Sequence, residues 1–343
     1  MNPILVEVFR GEAVESCHRG AFAVLDSEGK VAAAAGDFAS AVYPRSAVKP
    51  LQALPLVASG AADRLGLSDA EIALAAGSHG GEPLHVATSL SMLRKSGHDA
   101  SCLECGAHWP LDETAARALA ARGEEPSALH NNCSGKHAGF ICLACFRGID
   151  PAGYVRPGHP AMQEVTAALA AVTGAPLGAT TPGIDGCSIP TFPIPLHALA
   201  RGFARFGSGH GLPDSLAIAA KRIRAAIAAH PFMIAGTGRF DTRIVEATQG
   251  AILVKSGAEG TACAAIPAAG LGIAVKIDDG AGRAVQVAMA AVLQQFGGQA
   301  LDNEARAALA EFAAPAIRNW TGLEVGAIRT AVEFRQSLGR NPA

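Results

Sequence analysis

The sequence predicts an α+β fold: a mainly antiparallel sheet formed from both chain ends, flanked by helices, with a helical middle lobe. Three observations carry this reading. Short apolar runs punctuated by turn residues occupy residues 1–40 and again 250–335, whereas residues 45–230 are rich in Ala and Leu at helical spacing. Half of the 343 residues are hydrophobic and only 17% are charged, which suits a globular chain with a large core. Strands at both ends are hard to divide between sequential domains. One sheet built from both termini, within a single domain over 1–343, is the simplest solution.

Taken in order, residues 4–9, 20–25 and 30–34 read as strands, with Asp26-Ser27-Glu28-Gly29 as the turn between the last two. Helical patterns follow over residues 51–59, 68–76, 83–95, 113–122 and 136–147. Residues 173–195 hold five prolines and several glycines, too much punctuation for regular structure, so an ordered or exposed loop is expected there. Another helix is expected over 215–229. Apolar runs at 251–254, 261–266 and 271–277 are separated by Gly-containing turns and read as consecutive antiparallel strands, followed by a helix over 283–296 and a last strand near 325–330. Neither an internal repeat nor a low-complexity linker is present.

Composition excludes several functions. The 28 Lys+Arg and 30 Asp+Glu leave a net charge near −2, without blocks of one sign, which argues against a nucleic-acid footprint or a polybasic membrane patch. Apolar runs such as 264–275 are broken by Gly and Pro well before the roughly 18 residues a spanning helix needs. Glu7 within the first apolar stretch and Arg10 directly after it do not match the layout of a signal peptide. With eight cysteines spread thinly, the expectation is a cytoplasmic protein with reduced thiols, some of them available as metal ligands.

Ser46-Ala47-Val48-Lys49 is the first candidate for chemistry. At a helix start, residues three apart share a face, so the Lys49 amine can reach the Ser46 hydroxyl, and a neutral amine can act as the base that activates a serine. Lys49 precedes Pro50, which biases it away from helical dihedrals, so the pair is expected in the turn entering the helix. Ser27-Glu28-Gly29-Lys30 repeats the spacing in an expected hairpin turn, where it is a surface feature. Gly77-Ser78-His79-Gly80-Gly81, ahead of Glu82-Pro83, is a glycine turn at a helix start, and Lys255-Ser256-Gly257 ends an apolar run. Taken alone, each of these reads as ordinary structure. Together they follow the order of the penicillin-binding proteins and serine β-lactamases: S-x-x-K at the head of a helix, a second serine on a loop, and K-T-G on a late strand. The asparagine of S-D-N is missing and Ser replaces Thr in the third motif, so a β-lactam is not the expected substrate.

Cysteine adds a second theme. Asn131-Asn132-Cys133-Ser134-Gly135-Lys136-His137 and, downstream, Asp185-Gly186-Cys187-Ser188 could bring two thiols, an amine and an imidazole to one transition metal, with zinc the plausible choice. Cys102/Cys105 and Cys142/Cys145 mimic a four-thiolate site, but 141–146 is an apolar helical stretch in which the second pair packs as core. A Walker loop, a dinucleotide fingerprint and H-E-x-x-H are all absent.

The phrases Pro44-Arg45-Ser46-Ala47-Val48-Lys49-Pro50, Gly77-Ser78-His79-Gly80-Gly81-Glu82, Asn131-Asn132-Cys133-Ser134-Gly135-Lys136-His137 and Gly186-Cys187-Ser188 resemble the rhizobial, etli-type L-asparaginases of the asparaginase II family. The resemblance runs over nearly the whole chain. It implies hydrolysis of L-asparagine to L-aspartate and ammonia on a serine β-lactamase-like fold, as a homodimer. It also implies two serine–lysine pairs, Ser46 with Lys49 and Ser78 with Lys255, and zinc held by Cys133, Lys136 and Cys187. His137 and Asp185 are expected close to that metal. For the substrate, Asp185 is the candidate partner of the α-ammonium and Arg45, His137 or Arg239 of the α-carboxylate, with His79 also counted among the substrate-binding residues. A glutaminase or other serine amidase on the same scaffold is the alternative within hydrolases, with a penicillin-recognising enzyme after it. A zinc-stabilised, non-enzymatic binding protein is the alternative from another class.

Overall fold

The computed structural model describes residues 1–339 and divides into two compact units, each assembled from separate stretches of chain. The first unit takes Met1–Ala47, Pro193–Gly211 and the chain from Ala247 on; the second takes Val48–Phe192 and Leu212–Glu246.

The sheet of the first unit is built from both ends of the chain, as expected. Its strands are β1 (Ile4–Arg10), β2 (Ala13–Asp26), β3 (Val31–Ala35), β4 (Leu253–Ser256), β5 (Thr261–Ile266), β6 (Leu271–Ile277), β7 (Ala316–Arg318) and β8 (Glu324–Thr330). They are ordered β7-β8-β1-β2-β6-β5-β4, with β3 paired to β2, and every pairing is antiparallel. All six residues of β5 are buried, so both faces of the sheet are covered there. Helices Leu196–Ser208 and Gly282–Phe296 supply cover. The first lies against β6 so closely that a Cβ on Gly272 would run into the backbone of Ala200 and Ala204. Asp26 at the end of β2 accepts from the backbone N–H groups of Glu28, Gly29 and Lys30, which makes Ser27–Lys30 a surface turn, as expected.

Two sequence expectations differ from the structure here. Strand β2 is 14 residues long and starts at Ala13, because its polar first half (Glu15, Ser16, Cys17, His18, Arg19) pairs with β1 while leaving much of that stretch exposed, so no apolar run marks it. Helices Leu196–Ser208, Asn303–Ala313 and Val332–Leu338 carry no expectation from sequence, nor do Pro160–Thr173 and Phe240–Ala247 in the second unit.

Helices make up most of the second unit. Asp69–Ala75 begins with a capping box, in which Glu71 N–H donates to Ser68 Oγ and Ser68 N–H donates to the Glu71 carboxylate. The same buried carboxylate accepts from Ser91 Oγ (2.8 Å) and Lys95 Nζ (2.6 Å), tying this helix to Pro83–Lys95. Ser134–Phe146 is buried almost all round, which makes it the central helix of the unit. Its Gly135 and Gly139, one turn apart, let it approach Asp69–Ala75: a Cβ on Gly135 would overlap Leu74, and one on Gly139 would lie 3.3 Å from Ala75 Cβ. The helix expected over 51–59 is split into Lys49–Gln52 and Leu54–Ala58, with Pro50 and Pro55 each in a first turn, where proline is tolerated. Among the described residues, no helix is long and apolar enough to cross a membrane.

Candidate active site

Ser46 sits in a 3-10 turn, Arg45–Val48, which runs directly into the helical turn Lys49–Gln52. The pre-proline residue Lys49 therefore opens the helix, one step later than the entering turn the sequence suggested. Arg45, immediately before the serine, has φ 51°, a left-handed conformation that costs a non-glycine residue energy. Within the first unit, the end of β4 passes this turn at close range: a Cβ on Gly257 would lie 2.6 Å from Pro44 O and 3.0 Å from Ala47 N. Only glycine allows that approach, and it brings the Lys255-Ser256-Gly257 backbone alongside Ser46. Lys255 is 1% exposed and donates from Nζ to Ser256 O at 2.7 Å.

In the second unit, Lys49 is wholly buried and donates from Nζ to Gly77 O at 2.7 Å and Asn132 O at 3.2 Å. Gly77 precedes Ser78, whose backbone N–H donates to Ile234 O at 2.8 Å. Close packing sets this loop, since a Cβ on Gly77 would collide with Met233 O. Ser78 Oγ is buried, with no hydrogen-bond partner among the described residues. His79 is spoken for on both nitrogens: Gly81 N–H donates to Nδ1 (3.1 Å), so Nε2–H donates to Ser134 Oγ (2.9 Å), which itself donates to Leu129 O. His79, a candidate substrate contact from sequence, thus acts on the loop and on the central helix. It stacks on His85, which stacks on Phe232. Burial holds both imidazoles below the usual histidine range, and their mutual repulsion deepens this for His79.

Cys133, Lys136 and Cys187 converge. Lys136 Nζ donates to Cys187 Sγ at 3.1 Å, and the Cys187 thiol hydrogen-bonds the Cys133 sulfur. That hydrogen bond pulls Cys133 well below the ordinary thiol range, and the Lys136 ammonium adds to it. Burial would make Lys136 a weaker base, but the two sulfurs outweigh it and raise its proton affinity. Three further thiols of the helical unit behave differently: burial pushes Cys102 up to about 11 and Cys105 and Cys142 up to about 12, which disfavours their thiolates. Cys187 stands on a tight hairpin within the stretch 173–195, where a loop is expected from sequence. Gly183 pairs with Thr191 and Ile184 with Pro190, Asp185 N–H donates to Ile189 O, and Ser188 is left-handed at φ 74°. Asp185, half-buried on the same hairpin, is near enough to Lys136 to favour its charge. His137 follows Lys136 on the central helix, with Nδ1 2.6 Å from Tyr154 Oη.

Arg239 is exposed on the loop before helix Phe240–Ala247. Glu82 holds that loop by accepting from Thr237 N–H (2.9 Å) and Thr237 Oγ1 (2.6 Å). Among the described residues there is no group of three or more His, Cys, Asp or Glu side chains able to hold a metal. The Cys133/Lys136/Cys187 trio has two thiols, and its third donor is an amine. Glu82, Asn131 and Tyr154 escaped sequence reading. Glu82 and Asn131 each lie in one of the motifs, and only geometry reveals a role for Asn131: Nδ2 donates to Cys105 O and Gly106 O, and Oδ1 accepts from Cys133 N–H, which steadies the cysteine. Tyr154 offered one signal, since a buried tyrosine needs a partner for its hydroxyl.

A solved structure described as a β-lactamase from Mycobacterium bovis is similar to this chain at 16% identity, covering 86% of this chain and 95% of that one, with a TM-score of 0.39. No curated protein matches. The family model for L-asparaginase II matches residues 6–330, a span that includes every candidate residue above. The chain therefore belongs to the L-asparaginase II family, the family of asparaginase-type amidohydrolases.

Proposed function

We propose that the protein hydrolyses L-asparagine to L-aspartate and ammonia through an acyl-enzyme on Ser46, with Lys49 as base. The observation that carries this reading is the hydrogen bonding of Lys49. Donation to Gly77 O and Asn132 O fixes the buried amine three residues after Ser46, and the proposed cycle uses that amine, in its neutral form, to accept the serine proton. Ser46 Oγ then bonds to the side-chain amide carbon of asparagine while its proton passes to Lys49 Nζ. The proton moves on to the amide nitrogen, the C–N bond breaks and ammonia leaves. Water attacks the resulting ester, gives a proton to the same amine, and releases aspartate as the serine regains its hydrogen. Ser78 and Lys255 relay protons, and backbone N–H groups beside Ser46 and at the end of β4 meet the oxyanion.

One observation favours a second reading, acylation of Ser78, because its buried hydroxyl has no hydrogen-bond partner among the described residues. Peptide mapping by mass spectrometry of an enzyme trapped with an asparagine-like electrophile separates the two. A label on Ser46 supports the first reading, a label on Ser78 reverses the assignment, and ammonia release with asparagine, glutamine and a chromogenic β-lactam sets the substrate class.

Within the family, the Cys133-to-His137 phrase supports the etli-type branch. Two thiols and an amine suit zinc, and the pull on Cys133 toward its thiolate favours binding, so Cys133, Lys136 and Cys187 are its proposed ligands once Lys136 has shed its proton. Zinc bound there would supply positive charge that orients polar substrate groups. Asp185 is the proposed partner of the substrate ammonium, and Arg45, His137 and Arg239 are those of its carboxylate. Eight free cysteines fit a reducing, cytoplasmic setting. A homodimer is the proposed assembly, to be checked by analytical ultracentrifugation.

A further inference from the structure

Tyr154 belongs to no motif, yet it heads the fully buried side chains by size. Its Oη accepts from Glu104 N–H at 2.9 Å and stands 2.6 Å from His137 Nδ1. The phenolic hydrogen needs an acceptor, and a backbone N–H cannot be one. Among the described residues, His137 Nδ1 is the acceptor within reach, so it receives that hydrogen and the ring carries its own on Nε2. A doubly protonated ring would turn N–H against O–H and leave the phenol without an acceptor.

Glu104 also fixes the tyrosine from the other side, since its carboxylate accepts from Gly153 N–H at 2.6 Å. His137 is itself fully buried, and its Nε2 has no partner among the described residues. A buried N–H in that position is costly unless a ligand oxygen meets it, and a charged oxygen does so best. With its one lone pair taken by the phenol, this imidazole cannot serve as a base.

We propose that Tyr154 is a positioning residue that locks His137 as the Nε2–H tautomer, presenting a single buried donor to a carboxylate oxygen of the amino-acid substrate. The inference rests on the asparaginase reading of the site. Nitrogen NMR of the full chain with labelled histidine should show His137 protonated on Nε2 alone; protonation on Nδ1 overturns the proposal whether or not any variant folds. Tyr154→Phe keeps the ring and removes the hydroxyl. It should mix the two tautomers and raise KM for L-asparagine about tenfold or more while changing kcat less than about threefold. His137→Gln can place an amide N–H near the Nε2 position without help from a phenol, so adding Tyr154→Phe to it should leave KM unchanged. An equal effect of Tyr154→Phe in both backgrounds overturns the proposal, because the tyrosine then acts elsewhere. Failure of the wild type to turn over asparagine sinks the functional reading separately, and the NMR measurement still decides the tautomer.

Discussion

Burial keeps the imidazoles of His79 and His85 neutral, and this has a consequence for stability. Above pH ~6.5 the folded and unfolded chains are both unprotonated at these sites, so the stacked arrangement contributes in full. As the pH falls below that value, the unfolded chain binds protons that the folded one refuses. Stability should then drop by up to about 1.4 kcal/mol per pH unit for each histidine, until the depressed folded-state value is reached. Urea denaturation between pH 7.5 and 5.5 checks this, and His85→Asn should flatten the slope. At the chemical centre, Ser46→Ala and Lys49→Ala should each lower kcat/KM by about 10⁴-fold, with no additive loss in the double variant, as expected of groups that act as a unit. Lys49→Arg should rescue neither, because a guanidinium does not give up its proton. Full activity of Ser46→Ala in steady-state assays would move the nucleophile to Ser78.

At the scale of elements, each unit holds its candidate residues by close approach, a strand end to a turn in the first and two helices to each other in the second. Gly135→Ala would force Ser134–Phe146 away from Leu74, an overpacking that should cost about 1–3 kcal/mol and shift Cys133 and Lys136 together. The loss should register both as a lower Tm and as faster labelling of the Cys133 and Cys187 thiols. Ser68→Ala is the contrasting case: it removes the cap of Asp69–Ala75 at a cost of about 1 kcal/mol and should leave kcat unchanged, since the site makes no use of it. Helix Pro83–Lys95 and strands β5 and β6 match the sequence expectation to the residue, because Pro and Gly punctuate clean apolar patterns. Helix Leu196–Ser208 was not legible in advance. It is amphipathic, but it follows the proline-rich stretch, and its partner β6 lies some seventy residues on. The hairpin that carries Cys187 was hidden for a related reason. Strands two residues long leave no period to read, and the turn conformation comes from Ser188 and not from a glycine.

For the whole molecule, purified protein should carry about one zinc per chain by elemental analysis, and Cys133→Ser or Cys187→Ser should abolish it. Rigorous chelation should lower the Tm while turnover persists, since the proposed serine–lysine pair would supply the nucleophile without the metal; complete loss of turnover would favour a metal-bound hydroxide instead. Sequence by itself determined the family and the antiparallel sheet drawn from both termini, and it nominated the serines, lysines and thiols of the candidate site, because these are carried by contiguous phrases and short apolar periods. Only the tertiary structure decided which groups are buried, which hydroxyls and imidazoles find partners, and which thiol is pulled toward its thiolate. Those properties depend on contacts between residues far apart in the chain, as between Tyr154 and His137 or Lys136 and Cys187, and local pattern carries no record of such distances.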